Sequence, residues 1–451
     1  MTICTYCGRE FEASSDTEHL CPQCAAEVIS TTPAEAPPSR FRQVLESPTI
    51  ILIALNTLVY LMMAFQGHNF LEFDGNLLLN WGANSGALTP SGQWWRLVTS
   101  TFEHGGLIHI ALNMWCLYNL GWLAELLFGR SRFTLLYMLC GIGGSLGSIC
   151  WRGNGLSVGA SGAIFGIAGA LIPAMMLHSN QKLRAVLKGQ LTSIAMFVFY
   201  NLVFGAAMRG TDNAAHVGGL LTGLALGVVF PTGPDRHESR GRMRVAAGTI
   251  LMLLIFVGAG AFARQRNESY IELDKASDEH DSGNTEAAIS HAQRAVQLKP
   301  ENAQGQFMLG TLLLNEHRFA EAVAPFTSTT HLRPKFGPAY VNLCVAQREL
   351  HQLKEALASC EQGAKLSPGE AESWFNLGRV RYDLNNATGA RDALAKAVTL
   401  NPQGFDENLQ YALMLISTGD TGKAIPYLNK AHNLRPEDAD VTKLLRQAQG
   451  D

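Results

Sequence analysis

The sequence predicts an all-α protein in three unequal parts: a polytopic bundle of membrane-spanning helices, an α-solenoid after it, and a small metal-binding head in front. Three observations predict this. Seven long apolar stretches fall between Pro48 and Ala263, a 34-residue period runs from there to the C-terminus, and four cysteines stand two by two within the first 24 residues.

At 451 residues the chain exceeds one ordinary core, so two or three domains are expected. A net charge of −3 gives no hint of nucleic acid, and none is expected as a partner. The averages conceal an uncharged, glycine-rich middle between two polar ends. The nine cysteines do not make one disulfide framework. Four sit in the head, Cys116, Cys140 and Cys150 lie in apolar segments, and Cys344 and Cys360 lie in the tail. The N-terminus is polar before any apolar run, so no cleavable signal is expected and the first run should act as an uncleaved anchor.

A helix crosses a bilayer in about 20 apolar residues. The stretches of that kind are Pro48 to Phe65, Leu107 to Phe128, Phe133 to Trp151, Ala160 to Leu177, Gly189 to Met208, Ala214 to Phe230 and Val245 to Ala263. Buried core helices of a soluble protein are the bland alternative, but so many runs leave too little polar surface to coat one. Orientation follows from the basic loops. Arg40 and Arg42, Arg130 and Arg132, Lys182, Arg184 and Lys188, then Arg236, Arg240, Arg242 and Arg244 alternate with loops holding only Arg96, Arg152 or Arg209. The expected protein is integral to the bilayer, in a bacterial inner membrane, with its N-terminus cytoplasmic and its tail extracytoplasmic.

In the tail, Pro300, Pro334, Pro368, Pro402 and Pro436 recur every 34 residues, each two after a Leu. Ala288, Ala322, Ala356, Ala390 and Ala424 keep the same interval, where two helices must approach closely. This period resembles the tetratricopeptide repeat, and Trp374, Leu377 and Gly378 match its first-helix signature. Lys275 and Cys344 depart from it. Five repeats and a C-terminal capping helix are expected over residues 267–451, forming a concave surface for a protein or peptide partner. A merely stabilising appendage is the alternative.

Polar groups inside a bilayer are costly, so each needs a reason. His109 and Asn113 in the second stretch, Ser161 in the fourth and His216 in the sixth all lie near the expected outer end. They converge at one depth. Serine is a poor nucleophile without a base to take its proton, and His216 is the available base. No Asp or Glu lies in the outer half of a stretch to complete a triad, so the expectation is a Ser-His dyad. Ser161 sits in Gly159-Ala160-Ser161-Gly162-Ala163 at a helix start, where free N–H groups can donate to an oxyanion. His109 and Asn113 are four apart, hence on one helical face, and can add donors. Gly162, Gly166 and Ala170 face Gly219, Gly223 and Gly227 as small-residue stripes that bring the two helices together. Taken singly, a Gly-x-Ser-Gly fits helix packing as well, and a lone membrane His fits a proton relay.

Taken together, residues 45–231 resemble the rhomboid family of intramembrane serine proteases. The matching elements are Trp95-Arg96, His104, His109 and Asn113, Glu125 with Gly129, Gly159-Ala160-Ser161-Gly162, and Ala215-His216-Val217 followed by Gly219 and Gly223. The resemblance implies that Ser161 is the nucleophile and His216 the general base. His109, Asn113 and the Ser161 amide would line an oxyanion hole. Trp95 and Arg96 would belong to a membrane-embedded first loop, while His104 and Glu125 would be structural. Phe165 stands where many members carry a Tyr against the catalytic His. Such enzymes use no cofactor and cut single-pass transmembrane proteins near a helix end. An extra span after the six-helix core, here residues 232–266 with their basic loop, is a known layout. An inactive rhomboid-like scaffold that binds transmembrane helices is the alternative, though it would be favoured by loss of Ser or His, and both are present. A transporter would want mid-span acids and inverted repeats, and neither is evident.

At the other end, Cys4-x-x-Cys7 and Cys21-x-x-Cys24 are two pairs that can place four thiolates around one Zn²⁺, and a cytoplasmic setting disfavours disulfides. Residues 1–27 thus resemble a zinc ribbon with a closed structural site; unliganded or redox thiols are the alternative. Residues 28–44, rich in Pro, Ser, Thr and Ala, read as a flexible linker. Outside the membrane, Cys344 and Cys360 would be free to pair.

Overall fold

A computed structural model describes residues 2, 3, 9–11, 46–153, 155–177, 181–207, 210–232 and 239–450. Cys4, Cys7, Cys21 and Cys24 lie outside the described residues, as does the linker. Of the head, an antiparallel pair is described, β1 (Thr2–Ile3) with β2 (Glu10–Phe11).

Each apolar stretch forms a helix: α1 (Pro48–Gln66), then, after a long first loop, α4 (Leu107–Phe128), α5 (Arg130–Trp151), α6 (Ser161–Met176), α7 (Gln181–Ala207), α8 (Asn213–Val229) and α9 (Ser239–Arg266). Among the described residues, α1, α4, α5, α7 and α9 are long and apolar enough to cross a membrane. The other two are shorter, 16 residues in α6 and 17 in α8. Sixteen residues rise only about 24 Å, against a hydrocarbon core of about 30 Å. For α6, burial explains the shortfall. From Gly162 to Leu171 every residue of α6 is buried, so its neighbours rather than its own length meet the lipid.

The first loop carries α2 (Gly75–Trp81), β3 (Asn84–Ser85) and α3 (Arg96–Thr99). It is tied down by Arg96, which is buried and donates from Nη1 to the Leu79 and Ala83 carbonyls and from Nε to Gln93 Oε1. Strand β3 pairs antiparallel with β4 (Leu156–Ser157), and Gly159 donates its N–H to the Ser100 carbonyl at 2.8 Å. The loop therefore holds the segment leading into Ser161. At the far end of α4, Glu125 Oε2 accepts from Ser47 Oγ at 2.7 Å and Thr49 Oγ1 at 3.0 Å, bolting α4 to the start of α1.

The tail is five helical hairpins and a last helix. The pairs are α10 (Glu268–Asp281) with α11 (Thr285–Leu298), α12 (Ala303–Asn315) with α13 (Phe319–Leu332), and α14 (Gly337–Glu349) with α15 (Leu353–Leu366). Then come α16 (Ala371–Asp383) with α17 (Ala387–Leu400), α18 (Phe405–Ser417) with α19 (Thr421–Leu434), and α20 (Ala439–Gln449). The periodic alanines are fully buried where paired helices touch. Both departures have local causes. Lys275 faces outward in the first hairpin and reaches Glu272 Oε1 at 2.7 Å, while Cys344 is bonded to Cys360 across the third hairpin, with Cα atoms 5.3 Å apart.

Candidate active site

Ser161 is the first residue of α6, so its N–H is one of the helix's unpaired donors. His216 lies in the first turn of α8, and its Nε2 stands 3.0 Å from Ser161 Oγ. What makes this possible is backbone contact between the helices. A Cβ on Gly219 would overlap the Gly162 carbonyl oxygen, one on Gly223 would overlap that of Gly166, and one on Gly227 that of Ala170. The two small-residue stripes thus meet face to face.

The imidazole is held on two further sides. Phe165 stacks on it with ring centroids 4.2 Å apart and planes 6° from parallel. Asn213 Oδ1 lies 3.2 Å from Nδ1 and accepts its proton when Nε2 is the base. That tautomer is the one a general base for Ser161 requires. Sequence reasoning missed Asn213 because it sought only an acid as third member. The signal was there: a residue three before His216 shares its helical face.

His109 and Asn113 come to the same place from α4. A Cβ on Gly159 would lie 2.8 Å from His109 Nε2 and 3.8 Å from Asn113 Nδ2, so both side chains line the turn before Ser161. Gly159 also needs its left-handed φ of +120°, which a side chain would oppose. The Gly105 N–H points at His109 Nδ1 at 3.4 Å, which leaves the ring proton on Nε2, facing the site. His104 stands behind, its Nε2 3.5 Å from the Ala160 amide and its ring 5.1 Å from that of His109. Beside it Glu103 is buried, and among the described residues neither of its oxygens has a hydrogen-bond partner. Among the described residues no group of His, Cys, Asp or Glu could hold a metal ion. The arrangement suits acyl transfer at a serine: nucleophile, base and convergent donors, with an open helix N-terminus.

Residues 91–232 match the Rhomboid domain, and residues 273–335 and 344–449 match tetratricopeptide repeats, the latter in the form of the cytochrome c-type biogenesis protein H TPR domain. Rhomboid protease GluP of Bacillus subtilis (strain 168) is 28% identical over 302 residues, covering 67% of this chain and 57% of that protein. RHOMBOID-like protein 6, mitochondrial, of Arabidopsis thaliana is 36% identical over 183 residues, which is 38% of this chain and 58% of that one. Rhomboid protease AarA of Providencia stuartii is 29% identical over 231 residues, 46% of this chain and 82% of that one. The chain thus spans a little over half the length of the first two relatives.

Proposed function

We propose that this chain is an integral membrane serine endopeptidase that cuts single-pass transmembrane proteins near the outer membrane face. The observation that carries the reading is the 3.0 Å approach of His216 Nε2 to Ser161 Oγ beneath the Phe165 ring. His216 takes the serine proton as Oγ attacks the scissile carbonyl, and then delivers it to the leaving amine. Water, deprotonated by the same imidazole, releases the acyl group. The Ser161 N–H, His109 Nε2–H and Asn113 Nδ2 serve the tetrahedral oxyanion, and Asn213 keeps the imidazole in its working tautomer. No cofactor enters this scheme.

Around that core the reading assigns three further roles. Seven crossings put the repeats on the outer side, where they present substrate ectodomains or bind a partner protein. The Cys344–Cys360 bond supports that side, since disulfides persist in oxidising compartments. Cys4, Cys7, Cys21 and Cys24 hold a structural zinc ion on the inner side, remote from the chemistry. The decisive experiment incubates purified protein in lipid with a single-pass test substrate, beside the Ser161→Ala and His216→Ala forms. Cleavage by the native protein alone is expected. Cleavage by Ser161→Ala would sink the reading, and cleavage by neither would favour an inactive helix-binding scaffold.

A further inference from the structure

The solenoid is not joined to the bundle by a loose linker. Asn267, between α9 and α10, is fully buried, and its Nδ2 donates to the carbonyls of Ile149 at 2.9 Å and Ala263 at 2.8 Å. Arg266 Nη2 reaches the Trp151 carbonyl at 3.4 Å. Ile149 and Trp151 belong to the last turn of α5, whose carbonyls have no N–H of their own helix to accept from. The junction of α9 and α10 therefore caps α5.

The same turn grips the helix of the base. Ser148 Oγ donates to Asp212 Oδ2 at 2.5 Å, and Arg152 Nη1 stands 3.6 Å from that oxygen. Asp212 Oδ1 accepts the Ala215 N–H at 3.1 Å and so caps α8. Its chain neighbour is Asn213, the partner of His216 Nδ1. One helical turn thus has the solenoid bonded to its end and the base's helix bonded to its side.

We infer that the junction at Asn267 and the last turn of α5 form a positioning device for His216, acting through Ser148, Arg152 and Asp212. The inference rests on the protease reading above. None of these residues touches the reacting atoms; they set where α8 begins and hence where the imidazole stands. Force on the repeats, as when they hold a substrate's ectodomain, reaches the base along this path.

The test uses the full chain in lipid and a transmembrane substrate without an ectodomain, which the repeats have nothing to hold. Asn267→Ala is expected to lower kcat about 3- to 10-fold, the effect of weakening one buried hydrogen-bonded contact, at unchanged KM. Asp212→Ala should lose more, and the double variant no more than Asp212→Ala alone, because both changes cut one connection. Ser148→Ala removes a single hydroxyl and should give the same kcat-selective loss if Asn267→Ala fails to fold; Arg152→Lys, which keeps the charge, should stay near the native rate. Amide hydrogen exchange over residues 213–218 is read in parallel and should quicken in Asn267→Ala. Quickened exchange in a protein that never cleaves would refute the protease reading while supporting the device. Native kcat and native exchange in Asn267→Ala, or losses that multiply in the double variant, would overturn the device.

Discussion

Replacing Asn213 by Ala removes the acceptor 3.2 Å from His216 Nδ1 while leaving the Phe165 stack and the Ser161 contact in place. In the ground state the lost bond is between neutral groups. As the serine proton moves, the ring becomes an imidazolium and the same N–H carries charge. A hydrogen bond to a charged group is worth about 1.5–3 kcal/mol, against about 1 for a neutral pair. The transition state therefore loses about 0.5–2 kcal/mol more than the resting enzyme, and kcat should fall about 2- to 30-fold. KM should hold, because Asn213 contacts the base and not the substrate. Asn213→Asp restores an acceptor but loses the donation to the Leu202 carbonyl, so it should recover part of the rate. Steady-state cleavage of a fluorogenic transmembrane peptide reads all three. A rate for Asn213→Ala within about twofold of native, equivalent to less than half a kcal/mol, would refute the reasoning.

Further outcomes follow from other parts of the chain. Gly219→Ala puts a methyl into the Gly162 carbonyl and should lower thermal stability in detergent by about 1–3 kcal/mol, with activity falling too; an unshifted melting curve would contradict the packing. His351 follows α14 with a left-handed φ of +59°, so His351→Gly should stabilise the solenoid by about 0.5–1 kcal/mol, and a destabilised variant would count against it. Residues 1–26, isolated with thiols reduced, should bind one zinc ion per chain by metal analysis, and a metal-free result refutes the ribbon. A single reporter Cys in the repeats, with Cys344 and Cys360 replaced, should react with an impermeant thiol reagent on intact cells; reaction only after lysis would place the tail inside.

What could be read from the chain alone was whatever composition and spacing carry. The apolar stretches, the opposed glycine stripes and the Pro and Ala periods each mark a helix or a close contact by themselves. Contacts that depend on the assembled bundle were not legible. The first loop, with α2, α3 and β3, shows no hydrophobic period, and its order depends on Arg96 meeting carbonyls more than ten residues away in the chain. Helix α6, expected from Ala160 to Leu177, runs from Ser161 to Met176. Asn213 was passed over because an amide was not counted among partners for His216. The residues at 283, 317, 351, 385 and 419 form another 34-residue series in left-handed backbone, filled by Gly, His, His, Asn and Gly. Its two glycines and Asn385 advertise the conformation, and His317 and His351 hide it.

The shortness of α6 and α8 bears on a matter of supply. Each peptide bond cut consumes one water molecule, and hydrocarbon delivers almost none. A serine set at the end of a helix long enough to span would sit at the interface, level with lipid headgroups. Ser161 instead starts a helix of 16 residues and His216 lies in the first turn of one of 17, so with their inner ends level with the membrane their outer ends lie several ångströms below the surface. On the protease reading, water must therefore come down from the outer side to the open N-terminus of α6, below the level of the headgroups.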